Sequence, residues 1–116
     1  MVALNFMQQF AADVSNGKKR QTIREKTKAK AGCDLQLYTG QRTKSCRKLG
    51  EAVCVSVQKV VIMATGVQQQ GSTFCAGYQA DEFAKRDGFN DYAEMWAFFK
   101  DRANEHGEFI GQLVRW

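Results

Sequence analysis

A chain of 116 residues with 44% hydrophobic and 25% charged residues has the balance of one globular domain, residues 1–116, and is too short for two full cores. No apolar run approaches the length of a membrane span, and the N-terminus lacks the basic-then-apolar layout of a signal peptide, so membrane classes are excluded and a cytoplasmic setting is expected. The net charge of +5 is unevenly spread: Gly17 to Lys48 holds eleven Lys or Arg against Glu25 and Asp34, a local +9 that leaves −4 on the remainder.

In chain order, Val2, Leu4 and Phe6 alternate with Ala3 and Asn5 as in a short strand. Phe6, Phe10 and Val14, with Met7 and Ala11, then fall at helical spacing to Ser15, and Gly17 stands where a helix-ending glycine belongs. Residues 20–24 read as a strand with Arg20, Thr22 and Arg24 on one face and Gln21 and Ile23 on the other. Lys19 joins Thr22 only if the chain bends after the glycine. Glu25–Ala31 reads as a mobile loop and Gly32 to Asp34 as a turn. Leu35 and Leu37 start a strand ending near Tyr38-Thr39-Gly40, and Gln41–Lys48 is a second basic connection.

Val53, Val55 and Val57, followed by Val60, Val61 and Ile62, form the strongest strand pattern, with Cys54 as a core residue. Gly66–Thr73, with two glycines and three consecutive glutamines, reads as an uncovered loop. Ala80–Arg86 has helical character and stops at Asp87-Gly88-Phe89. Asn90 or Asp91 caps a further helix running to about Asn104, with Tyr92, Met95, Trp96 and Phe99 facing the core. His106-Gly107 ends it, and Phe109–Trp116 alternates as a closing strand. The order of elements predicts an α+β fold, a small curved sheet or barrel flanked by helices.

Four cysteines at spacings of 13, 8 and 21 include no CxxC, and the single histidine, His106, is remote from them, which argues against a zinc module. No cofactor or metal is expected. The basic stretch from Gly17 to Lys48 favours a polyanion through counterion release, so nucleic acid or a nucleotide is the leading partner class. The centre of that stretch, Gly17-Lys18-Lys19-Arg20-Gln21-Thr22-Ile23-Arg24, puts four cations around one hydroxyl. Such a cluster can hold an anionic or carbonyl-bearing ligand, or activate the hydroxyl as a nucleophile.

Gly17-x-Lys19-x-x-Thr22-x-Arg24 resembles the GxKxxTxR signature of ASCH (activating signal cointegrator homology) domains. The likeness extends over the chain: Phe6–Gly17 is similar to the helix before the motif, Gly32-x-Asp34-Leu35 to the turn and strand after it, and Asp87-Gly88-Phe89 to a later acidic turn. Tyr38-Thr39-Gly40-Gln41-Arg42-Thr43-Lys44 is similar to the short ASCH proteins of phages and prophages. The resemblance implies a small PUA-like β-barrel flanked by helices and RNA binding. It also implies, from some bacterial members, an amidohydrolase acting on 4-acetylcytidine. By motif position the base is then Lys19, the nucleophile Thr22 and the proton donor Asp87, an aspartate where those enzymes carry a glutamate; Glu82 is a second candidate for that role.

Two readings stand side by side. In one, Lys18, Arg20, Arg24, Arg42 and Lys44 hold an RNA backbone or nucleotide, Tyr38 stacks on a base and Thr22 only donates or accepts a hydrogen bond. In the other, Lys19, Thr22 and Asp87 hydrolyse a modified nucleoside or RNA.

Overall fold

The computed structural model describes residues 1–116. The chain is α+β, with seven strands in two sheets and three helices. β1 (Val2–Phe6) leads into α1 (Gln8–Ser15), and β2 (Gln21–Arg24), β3 (Asp34–Thr39), β4 (Arg47–Val53), β5 (Ser56–Met63) and β6 (Gly66–Gln69) follow. After α2 (Tyr78–Arg86) and α3 (Tyr92–Phe99), β7 (Phe109–Arg115) returns to the sheets. None of the helices is long and apolar enough to cross a membrane.

The first sheet has the order β1-β3-β4 and the second β2-β7-β5-β6. Only β1 and β3 are parallel, in the register Leu4 with Leu37, and α1 lies within the connection that this requires. Cys54 and Val55 carry the chain from one sheet to the other: Cys54 N–H donates to the Cys33 carbonyl at 2.8 Å, and Val55 N–H donates to that of Arg115 at 2.8 Å. The strands thus form two ladders, of three and four, whose edges β1 and β2 are not paired with each other. A closed ladder running through all the strands, as expected from the sequence, is not formed.

Twenty-four buried apolar residues form one cluster between these layers. α1 contributes Phe10, Ala11 and Val14, α3 contributes Tyr92, Met95 and Phe99, and β7 contributes Phe109, Leu113 and Val114. Asp91 caps α3 by accepting from the Glu94 N–H at 2.8 Å.

Several local expectations change. The apolar run from Val53 is split between β4 and β5, and β4 begins at Arg47, inside the stretch read as a basic connection. The pleat there is the reverse of the obvious one: Cys54 is buried, whereas Val53 and Val55 are 57% and 68% exposed. Gly66–Gln69 is a strand rather than an uncovered loop, because Val67 and Gln69 turn inward and the Gln69 carbonyl oxygen of the side chain accepts from Arg115 at 2.9 Å. The third helix ends at Phe99 and tightens into a 3₁₀ turn over Lys100–Arg102. Asn104 then stops the chain, its Oδ1 accepting from the N–H groups of His106 and Glu108. Trp96 is half-buried at the edge of the core.

Candidate functional site

The end of α1 builds the site. Asn16 is its C-cap and Gly17 takes a left-handed φ of 83°, the conformation in which glycine carries no Cβ penalty. The chain then folds back under the helix, with the Lys19 N–H on the Asp13 carbonyl at 2.9 Å. This bend turns the Lys19 side chain inward, where it is 2% exposed, and leaves its neighbours Lys18 and Arg20 in solvent.

A cleft of about 230 Å³ opens beside it, lined by Lys19, Thr22, Arg24 and Asp87 among the rings of Phe6, Phe10, Phe89, Phe98 and Phe99. Thr22 and Arg24 come from β2, the edge strand of the second sheet, and Asp87 from the turn after α2. The Lys19 ammonium donates to the Asp87 backbone carbonyl, lies 3.6 Å from the Asp87 carboxylate and sits over the Phe10 ring, 4.9 Å from its centroid. Gln21 donates to the same carboxylate at 3.3 Å. Arg24 donates from Nε to the Thr22 hydroxyl at 3.3 Å and from Nη2 to the Asn5 carbonyl at 2.8 Å, with its guanidinium over Phe6. It therefore reaches from β2 to β1 across the unpaired edges of the two sheets.

Burial governs the protonation states. Asp87 is pushed up to about 6 by desolvation, against the opposing pull of Lys19, Gln21 and Arg24. Lys19 is lowered, first by burial, with Asp87 working the other way and Arg24 adding to the lowering. Arg24 is lowered too, by burial, while Asp87 favours its charge. Both shifts of the Lys19–Asp87 pair run toward neutral amine and neutral acid, so burial works against the ion pair that their proximity favours.

The remaining sequence candidates are not in the cleft. Lys18 and Arg20 line a separate hollow beside Trp116; Arg20 lies one residue before β2 and its carbonyl accepts from the Trp116 N–H, so the strand face it was expected to share with Thr22 and Arg24 starts only after it. Tyr38, half-buried on β3, donates from its hydroxyl to Gln36 at 2.8 Å and is absent from the cleft wall. Arg42, with a left-handed φ of 66°, and Lys44 are exposed on the turn after β3. That turn is tied to the cleft rim indirectly, through the Gln41 N–H on Asn5 Oδ1 at 2.9 Å. Glu82 stands on the outer face of α2, 3.6 Å from Lys85, so of the two acid candidates Asp87 alone lines the cleft.

Sequence reasoning missed Gln21 and Gly88. Gln21 was assigned to the face opposite Thr22, yet both are buried, because β2 is covered on both sides. Gly88 has φ of 98°, and a Cβ there would lie 2.8 Å from Phe10 Cδ1 and 3.2 Å from Lys19 Cδ, so the glycine is what lets the acidic turn close over the lysine stem. Comparison with protein-family models, with curated proteins and with solved structures finds no match to this chain.

Proposed function

We propose that the chain is an ASCH-type, PUA-like domain that binds RNA or a nucleoside, with the modified base in the phenylalanine-lined cleft. We infer further that the cleft hydrolyses an amide of the 4-acetylcytidine type. The observation that carries this reading is the convergence of Lys19, Thr22, Arg24 and Asp87 on one small cleft, whose wall of phenylalanine rings also carries Glu25 and Arg102. At about 230 Å³ the cleft is below the range of about 300–1,000 Å³ that takes a whole drug-sized ligand, and suits a single base with its acyl group.

Each residue then has a chemical task. Neutral Lys19, favoured by burial, takes the proton of the Thr22 hydroxyl as its oxygen attacks the amide carbonyl. Arg24, already donating to that hydroxyl, stabilises negative charge on the oxygen and on the tetrahedral oxyanion. Protonated Asp87, whose proton is retained up to about pH 6 and partly beyond, gives it to the departing base nitrogen. Water, giving a proton to the Asp87 carboxylate, then attacks the acetyl ester on Thr22; Lys19 returns its proton to the Thr22 oxygen as that bond breaks, and acetic acid leaves and ionises, with Lys19 neutral and Asp87 protonated as at the start.

A second reading, binding without chemistry, has its own support. A groove of about 640 Å³ shares Arg24 with the cleft and is lined by Lys26, Lys28 and Lys30, none of them in an ion pair and with no carboxylate in the wall. It offers a path for a phosphodiester chain whose base enters the cleft.

Release of cytidine from 4-acetylcytidine by the purified protein, beside Lys19→Ala and Thr22→Val, tests the first reading. Turnover that disappears in both variants is the expected result. Absence of turnover by the wild-type protein at high enzyme concentration refutes hydrolysis of this substrate and leaves the binding reading. That reading in turn requires RNA affinity that falls steeply with salt and weakens on Lys26→Gln/Lys28→Gln/Lys30→Gln substitution.

A further inference from the structure

A second basic hollow lies on the other side of Gln21 from the cleft. About 350 Å³ in volume, it is lined by Lys18, Arg20, Arg86 and Arg115, with Val55 and Trp116 as its apolar wall. Four cations converge there, no carboxylate lines it, and none of the four is in an ion pair. Glu51, which lines the hollow on the far side of Trp116, is taken by Lys48 at 2.7 Å.

The frame around these cations is rigid. Arg115 on β7 pairs with Gln21 on β2 and with Ser56 on β5, and the Trp116 N–H donates to the Arg20 carbonyl at 3.0 Å, so three strand ends fix the backbone. The Arg115 guanidinium is itself held by Gln69 at 2.9 Å. Arg86 comes from the last turn of α2. Like charges gathered by fixed backbone repel unless a counter-anion joins them, and burial with the neighbouring Arg86 charge lowers the Arg115 guanidinium. Guanidinium groups present paired N–H donors that match the oxygens of phosphate.

We propose that this hollow is a binding site for a phosphate-bearing ligand, an oligophosphate or a phosphodiester, held by Arg20, Arg86 and Arg115 with Lys18 at the rim. The site is independent of the cleft's chemistry and of the groove beside Lys26. A ligand there would sit against Trp116, which makes the indole a reporter.

The test is a titration of the full chain carrying Trp96→Phe with pyrophosphate, reading Trp116 fluorescence at constant ionic strength, with phosphorus NMR line broadening of pyrophosphate on the wild-type protein as a second readout. The expected result is saturable binding that sodium chloride of the same ionic strength does not mimic. Arg20→Gln and Arg86→Gln, both exposed positions, each weaken it about tenfold or more, the scale of a lost charged hydrogen bond. Lys100→Gln, exposed and outside the hollow's lining, leaves it unchanged. Displacement of pyrophosphate by oligouridylate identifies a phosphodiester as the source, and its failure to compete identifies a free phosphorylated molecule. No saturable response in either readout, or an affinity unchanged in Arg20→Gln/Arg86→Gln, overturns the proposal.

Discussion

The Lys19–Asp87 pair offers the sharpest test of the site's electrostatics, because the fold opposes the charge on both partners. Asp87 rises from 3.8 to about 6, roughly two units, and at 1.36 kcal/mol per unit the fold disfavours its ionised form by about 3 kcal/mol. The folded pKa is above the unfolded one, so this group's contribution is fully present below the unfolded value. It is lost as the pH rises toward about 6, because the unfolded chain releases its proton first. Lys19 has the opposite window: its folded pKa lies below 10.5, so its contribution grows as the pH climbs from the folded value to 10.5. Lys19→Met alone leaves the buried Asp87 carboxylate with only the Gln21 amide and the weaker pull of Arg24 to offset its charge, and removes the donor to the Asp87 carbonyl; about 3–5 kcal/mol should be lost at pH 7. The deficit should shrink as the pH falls below about 6, because Asp87 takes up its proton there and more readily still once Lys19 no longer favours the charged form. The double variant Lys19→Met/Asp87→Asn removes both charges and should recover most of that loss, keeping only the about 1–3 kcal/mol deficit of a buried residue-87 carbonyl left without its donor. Urea denaturation of wild type, both singles and the double at pH 7 and pH 4.5 measures all of this. A double variant destabilised by the sum of the singles, with no pH dependence in Lys19→Met, would refute the reasoning.

Gly88→Ala forces a side chain onto a φ of 98° and into Phe10 and the Lys19 stem, so it should cost about 2–4 kcal/mol from left-handed strain plus overpacking, read as an earlier urea midpoint. The Tyr92 hydroxyl lies 2.5 Å from the Met63 carbonyl and 2.6 Å from that of Gly66, its one proton shared between them, and Tyr92→Phe should lose about 1–3 kcal/mol by leaving both without it. Burial also pushes its phenol to about 12, so in an alkaline absorbance titration one tyrosine of three should resist ionisation until the protein unfolds.

The sequence carried the elements well where pattern and punctuation agreed. Phe6, Phe10 and Val14 followed by Gly17 defined α1 and its stop, Asp91 capped α3, and the alternation of Phe109, Gly111 and Leu113 marked β7. It misread places where long-range contact overrides composition. Gln69 is polar, yet it belongs inside because Arg115, 46 residues away, needs an acceptor. Val53 and Val55 are apolar, yet they face out because Cys54 must fill the corner between the sheets. At the site, the GxKxxTxR spacing singled out Lys19, Thr22 and Arg24, all in the cleft wall, whereas counting cations added Lys18 and Arg20, which the same bend sends to the opposite side. A one-residue change of direction separates a buried lysine from exposed ones, and nothing in the charge count encodes it. The Asp87 contact spans 68 residues, a separation that no local pattern in the sequence reports.

Arg24 joins fold and site, and its replacement tests both at once. Its guanidinium is the polar link across the unpaired edges of β1 and β2, bonding to the Asn5 carbonyl at 2.8 Å while Nε holds the Thr22 hydroxyl and the plane covers Phe6. Lysine keeps the charge but cannot place two donors in fixed geometry, nor stack a plane on the ring. Arg24→Lys should therefore release one anchor of β1 and one restraint on Thr22, at about 1.5–3 kcal/mol for a hydrogen bond to a charged donor. Because β1 is an edge strand held on one side by β3, local opening is the cheapest response, and amide hydrogen exchange should quicken through Val2–Phe6 while β7 stays protected. Ligand binding or turnover in the cleft should fall in the same variant, since Thr22 loses the donor that orients it. Unchanged exchange in β1 together with undiminished cleft function would show that the seam is held by apolar packing alone, with the guanidinium a bystander.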